Sequence, residues 1–261
     1  MLKTRIFTAA ISLIILLTAI FIVPAPVTKN LFSLVILIGA WEWSGFLNYN
    51  SKGIRYSFVT LILLLILFVD YFLLDYSNHI FQIACIWWFI AFIWLFLFPT
   101  SISKAFRIIC GVLVLLPLHL ALIELYNLSA QILLLALAII WAADMGAYFV
   151  GKQFGRVKLA PKISPKKTWE GVFGGLTMVT LIALTWTYLA ELNILVSLPF
   201  CFAIGVLSVV GDLTVSMFKR DSGMKDSGKL FPGHGGILDR IDSIAAAAPC
   251  FSLGITQLGL L

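Results

Sequence analysis

Charge is what this sequence has least of. Only 11% of its 261 residues are Asp, Glu, Lys or Arg, while 61% are hydrophobic. A soluble domain carries about 25% charged residues. So dry a composition excludes that class and places the chain among proteins that cross a membrane repeatedly. Cysteine is scarce too. Cys85, Cys110, Cys201 and Cys250 lie in or beside apolar runs at spacings that fit no metal motif, which leaves them as small buried hydrophobes. No internal repeat is visible, which argues against an inverted-repeat transporter, and no low-complexity linker interrupts the chain. No clear small-residue cleavage site follows the first apolar run. That run is also too long for the core of a signal peptide, so it is expected as a helix.

What is present is length in oily segments. A bilayer core of about 30 Å takes about 20 mostly apolar residues per helix. Such runs fall near 6–23, 31–47, 57–74, 80–98, 108–125, 129–150, 171–190, 195–213 and 243–261. The reading is an all-α, polytopic integral membrane protein of about nine transmembrane helices. Trp87, Trp88 and Trp94 give the fourth run an aromatic load expected at a bilayer interface. The net charge of +6 is no nucleic-acid signal, because it follows topology. With the N-terminus in the cytoplasm and alternating helices, every Lys and Arg but Lys29 falls on the cytoplasmic side, as short loops require. By composition, 1–125 reads as an N-terminal transmembrane scaffold. Residues 126–261 read as a catalytic region with cytoplasmic loops 151–170 and 214–242.

Polar chemistry is concentrated in the second of those loops. Between Ser216 and Asp242 stand Lys219, Arg220, Asp221, Lys225, Asp226, Lys229, Asp239 and Arg240, interleaved with Gly223, Gly228, Gly233, Gly235 and Gly236. A topogenic loop needs bases but neither acids nor glycines. The eighth run ends at Gly211-Asp212; if its helix continues, Ser216, Lys219 and Arg220 share a face. Pro232-Gly233-His234-Gly235-Gly236 is incompatible with regular helix and suits backbone amides turned toward a phosphate. Mg²⁺ prefers carboxylates and phosphate oxygens, and Asp212, Asp226, Asp239 and Asp242 supply carboxylates for one or two ions. Lys219, Arg220, Lys225 and Arg240 match a polyphosphate or a lipid phosphate. His234, wrapped in glycines, is a candidate substrate contact.

The first polar loop carries six bases from Lys152 to Lys167, with Ser164-Pro165 as turn chemistry and Gly171, Gly174 and Gly175 as small residues for close approach. Asp144, in the sixth run, is a functional candidate because carboxylates at membrane depth are costly. Glu42 and Asp70 have no polar neighbours in sequence and read as structural, as do the lone His79 and His119.

The island resembles the signature of phosphatidate cytidylyltransferases, also called CDP-diacylglycerol synthases. It is met by Ser216, Lys219-Arg220, Lys225-Asp226, Pro232, His234-Gly235-Gly236, Asp239-Arg240 and Asp242. The family's second motif is similar to Asp144, Gly146-Ala147-Tyr148-Phe149 and Ser164-Pro165-Lys166-Lys167-Thr168 with Glu170-Gly171. Two departures are Met145, where the family usually has Thr, and Ser227, where a bulky residue is frequent. The resemblance implies the reaction of CTP with phosphatidate to give CDP-diacylglycerol and pyrophosphate, with Mg²⁺ as cofactor. It also implies an active site facing the cytoplasm and suggests a homodimer. On that basis Asp212 and Asp239, with Asp226 and Asp242, are expected to hold metal. Lys219, Arg220 and Arg240 would bind phosphates. Ser216, Lys225, Gly235 and Gly236 would position substrate, and Asp144, Ser164, Lys166 and Lys167 would line the entrance. Loop charge fits a bacterial inner membrane. A CTP-dependent transferase for another lipid phosphate and an anion transporter remain as alternatives.

Overall fold

The computed structural model describes residues 2–48, 51–228 and 235–261. Nine long helices are found among them: α1 (Leu2–Phe21), α2 (Ala25–Trp43), α4 (Lys52–Phe72), α5 (Ser77–Leu97), α6 (Lys104–Leu128), α7 (Ala130–Phe154), α8 (Trp169–Leu189), α9 (Ile194–Asp221) and α10 (Leu238–Gln257). A single turn, α3 (Gly45–Asn48), follows α2, and a 3₁₀ turn, Leu74–Tyr76, precedes α5. Six helices, α4 to α9, are long and apolar enough to cross a membrane.

The helix starts are written in the sequence. Ser51, Ser103, Ser129, Thr168 and Asn193 each stand before an apolar run, and each side chain accepts a hydrogen bond from a first-turn amide. Those amides have no partner inside their own helix, so a short polar side chain stabilises the start by about 1 kcal/mol. α10 has no such cap from its own chain segment.

The all-α expectation needs one addition. Between α7 and α8 lies an antiparallel hairpin of β1 (Lys158–Ala160) and β2 (Ser164–Thr168), paired Lys158 to Thr168 and Ala160 to Ser164 around a bulge. Glu170 closes it by accepting the Val157 amide at 3.1 Å. A second correction concerns the eighth apolar run. Its helix continues past residue 213 to Asp221, so the first part of the expected loop 214–242 is helix. The residues there become more polar, yet stay helical and buried through Lys219.

Van der Waals fit rather than hydrophobicity drives helix association in lipid, which favours small residues at contacts. α7 and α8 show this: a Cβ at Gly175 would sit 2.5 Å from the Ala143 carbonyl, and one at Gly146 would meet the Gly174 carbonyl. α10 is the central helix. Its Ala245 to Pro249 run is wholly buried, among α5, α6, α7 and α9. A helix surrounded by protein needs no lipid-facing chains, which explains its low hydropathy. Trp87 and Trp88 are buried in the bundle. Trp94 bonds Thr100 at 2.8 Å and packs edge-on against Phe218.

One end of the bundle gathers the charges. The Arg107 guanidinium at the start of α6 lies 2.7 Å from Asp221 at the end of α9 and donates to the Phe46 carbonyl of α3. Trp43, at the end of α2, donates to the Arg107 carbonyl at 2.9 Å. Deeper in the bundle His119 Nε2 lies 3.0 Å from Asp70 and Ser252 donates to Glu124 at 3.1 Å. His119 and Asp70 are therefore partners of each other.

Candidate active site

α9 presents Asp212, Ser216 and Lys219 one turn apart. Ser216 donates to Asp212 Oδ1 at 3.2 Å. Lys219 Nζ reaches across to α10 and lies 2.7 Å from Asp239 Oδ1. Both side chains of this ion pair are less than a tenth exposed, so removing either leaves a buried charge without its partner. The helix runs on through Arg220, one turn beyond Ser216, but the Arg220 side chain is held by backbone carbonyls. Its guanidinium donates to the Ile163 carbonyl at 3.0 Å and the Met224 carbonyl at 3.3 Å, tying the end of α9 to the hairpin.

The first turn of α10 supplies Asp239, Arg240 and Asp242. Asp239 Oδ2 accepts the amides of Ser227 and Gly236, each at 3.0 Å. The Gly236 amide is thus spent on a carboxylate of α10. Gly235, at φ +84, occupies a backbone region that L side chains avoid. Gly211 brings α10 close to α9, since a Cβ there would lie 2.5 Å from the Asp242 carbonyl. That approach sets Asp242 beside Asp212. Asp144 on α7 accepts from Ser243 at 2.9 Å, and its carboxylate lies within electrostatic reach of Asp212 and Asp242.

Into this group of acids the hairpin extends Lys167, whose Nζ is 2.6 Å from Asp212 Oδ2. Burial opposes its charge, but Asp212, then Asp144 and Asp242, outweigh that and hold the ammonium above its ordinary value. These groups face a cavity of about 1130 Å³. Its charged end is formed by Asp144, Lys152, Lys158, Lys166, Lys167, Asp212, Asp239, Arg240 and Asp242. Its other end is apolar, with Leu16 of α1, Phe32 of α2, Leu122 of α6 and Leu137 and Trp141 of α7.

Other expected site residues lie outside this lining. Ser164 is half-buried in β2, and Lys225 and Asp226 are exposed in the segment after α9. His234, with Lys229, Pro232 and Gly233, falls outside the described residues. Lys152 and Lys158 line the cavity, although from sequence they stood only among six loop bases. The apolar lining had no signal at all, because a Leu facing a lipid tail inside a cavity reads like a Leu facing the bilayer.

Among the described residues no three His, Cys, Asp or Glu side chains converge on one point. Mg²⁺ does not require that. It is usually held by one or two carboxylates together with substrate phosphates and water. Asp212 and Asp242, with Asp144 beside them, are hard oxygen donors at the cavity's charged end and fit such an ion.

The sequence model of the cytidylyltransferase family matches residues 3–257. This chain belongs to that family. A phosphatidate cytidylyltransferase of Pseudomonas aeruginosa is 38% identical over 261 residues, covering 97% of this chain and 96% of the relative. One from Haemophilus influenzae is 36% identical, covering 97% and 98%. A third, from Synechocystis, is 52% identical over 122 residues, covering 44% of this chain and 40% of the relative. In this cytidylyltransferase-family chain the signature residues divide by role. Asp212, Asp239, Arg240 and Asp242 line the cavity, Lys219 holds Asp239, and Arg220 is occupied in joining α9 to the hairpin.

Proposed function

We propose that this chain transfers the cytidylyl group of CTP to phosphatidate, forming CDP-diacylglycerol and releasing pyrophosphate. The observation that carries the reading is the division of one cavity into a charged end and an apolar end, in a chain whose full-length relatives are phosphatidate cytidylyltransferases. A polyphosphate and an acylated phosphate need those two surfaces side by side.

The chemistry asks for charge control more than for a strong base. A phosphatidate oxygen attacks the α-phosphorus of CTP, a new P–O bond forms, and the α–β P–O bond breaks with its electron pair leaving on pyrophosphate. Lys152, Lys158, Lys166 and Arg240 offset the charge of two anions brought together. Lys167 orients Asp212 toward the cavity, and the Lys219–Asp239 pair holds the first turn of α10 in place. Asp212, Asp242 and Asp144 would hold Mg²⁺, which supplies Lewis-acid polarisation of phosphate oxygens when bound. The apolar end holds the start of the acyl chains, so the lipid reacts without leaving the bilayer.

The same reading carries the topology: nine spans, an N-terminus in the cytoplasm, and a charged end facing the cytoplasm of a bacterial inner membrane. It is supported by the bacterial relatives and by the basic loops. A homodimer is the proposed assembly. The test uses CTP labelled at the α-phosphate with purified protein in lipid–detergent micelles. Label entering an organic-extractable product only when phosphatidate is present supports the proposal. Label entering lipid only with an isoprenoid phosphate, or never, contradicts it.

A further inference from the structure

Glu42 is buried at the end of α2, yet its hydrogen-bond partners among the described residues lie in the distant charged island. Its carboxylate accepts the Ile237 amide at 3.0 Å, the Leu238 amide at 2.8 Å and the Ser227 hydroxyl at 2.8 Å. The first amides of a helix have no partner within it, and the helix dipole favours an anion there. α10 has no side-chain cap of its own. A carboxylate from another helix does that work.

The same carboxylate holds two separate points of the connection between α9 and α10, Ser227 within it and Ile237 at its α10 end. Its closeness also accounts for two glycines: a Cβ at Gly228 or at Gly236 would run into the Glu42 carboxylate. Asp239 repeats the clamp from the other side, with Oδ2 accepting the amides of Ser227 and Gly236 and Oδ1 held by Lys219. Two carboxylates thus close one loop, and Glu42 itself is absent from the cavity lining.

We infer that Glu42 is a positioning residue for the transfer reaction: it sets the first turn of α10, and with it the direction in which Asp239, Arg240 and Asp242 face the cavity. Glu42 acts through other groups and touches no substrate. The inference rests on the cytidylyl-transfer reading for its kinetic arm alone, since its structural arm needs no substrate.

The test is Glu42→Gln, which keeps shape but turns an amide donor toward a backbone donor. Hydrogen exchange of peptides spanning 236–242 is followed without substrate, and kcat and KM are measured per folded molecule. Exchange in that segment is expected to quicken while α7 and α8 exchange as in wild type. kcat is expected to fall by about 10- to 100-fold, the range typical of residues that orient a site from behind it, with KM for CTP nearly unchanged. Ser227→Ala, which removes one donor, is expected to shift both in the same direction by less. Unchanged exchange at 236–242 overturns the inference whatever the activity. So does wild-type kcat in Glu42→Gln, or a loss of activity matched by an equal loss of folded protein.

Discussion

At the scale of single residues, two ion pairs brace this site, Lys167 with Asp212 and Lys219 with Asp239. Lys219 and Asp239 are the most buried such pair. Breaking a buried pair from one side costs about 3–5 kcal/mol. Lys219→Met is therefore expected to lower the melting temperature of the detergent-solubilised protein markedly, with a smaller loss when Asp239→Asn is added. A Lys219→Met protein as stable as wild type would show that the pair is not the clamp described here. Glu42 shows why residue-level reading falls short. In sequence it is an acid between two tryptophans with nothing polar nearby; its partners lie at Ser227, Ile237 and Leu238. Long-range hydrogen bonding leaves no local periodicity to read. Asp212 and Asp242, by contrast, were legible because each opens or continues a charged helix end beside a glycine or a base.

At the scale of elements, a helix start carries a local signal where a Ser, Thr or Asn caps it, as for α4 and α6 to α9, and none where the cap comes from another helix, as for α10. The end of α9 was misread for a related reason: hydropathy falls after residue 213, but the helix runs on to Asp221. Hydropathy reports what surrounds a segment rather than its backbone. The hairpin between α7 and α8 was hidden among loop bases, because its two short strands bury little. The packing of elements also yields tests. Gly175 touches the backbone of α7, so Gly175→Leu should force α7 and α8 apart and destabilise the fold; overpacking of this kind typically costs about 1–3 kcal/mol. A thermal shift within error of wild type would place that helix contact elsewhere. α1 contributes Leu16 to the apolar end of the cavity. Leu16→Trp is expected to raise KM for a long-chain phosphatidate several-fold relative to a short-chain one, with KM for CTP unchanged. Equal effects on both lipids would remove α1 from the acyl site.

At the scale of the whole molecule, the first and second halves share one core and one cavity; both give apolar wall, the first adds the Glu42 clamp and the second the charged groups. The proposed orientation, with the charged end of the cavity in the cytoplasm, is open to a direct test. Lys162, in the hairpin turn, and Glu191, in the turn between α8 and α9, lie at opposite ends of α8 by sequence. A cysteine at Lys162 is expected to react with an impermeant maleimide only in inverted vesicles, and one at Glu191 only in intact spheroplasts. The reverse pattern would turn the protein over. The central claim, that Asp212 and its neighbours serve nucleotidyl transfer between a nucleotide and a lipid phosphate, is tested most directly by pyrophosphate release from the purified protein. The account predicts release that requires both CTP and phosphatidate, and a fall of at least about 100-fold in a folded Asp212→Asn variant, as when a group stabilising transition-state charge is removed. Release without phosphatidate, or full activity in Asp212→Asn, would contradict it.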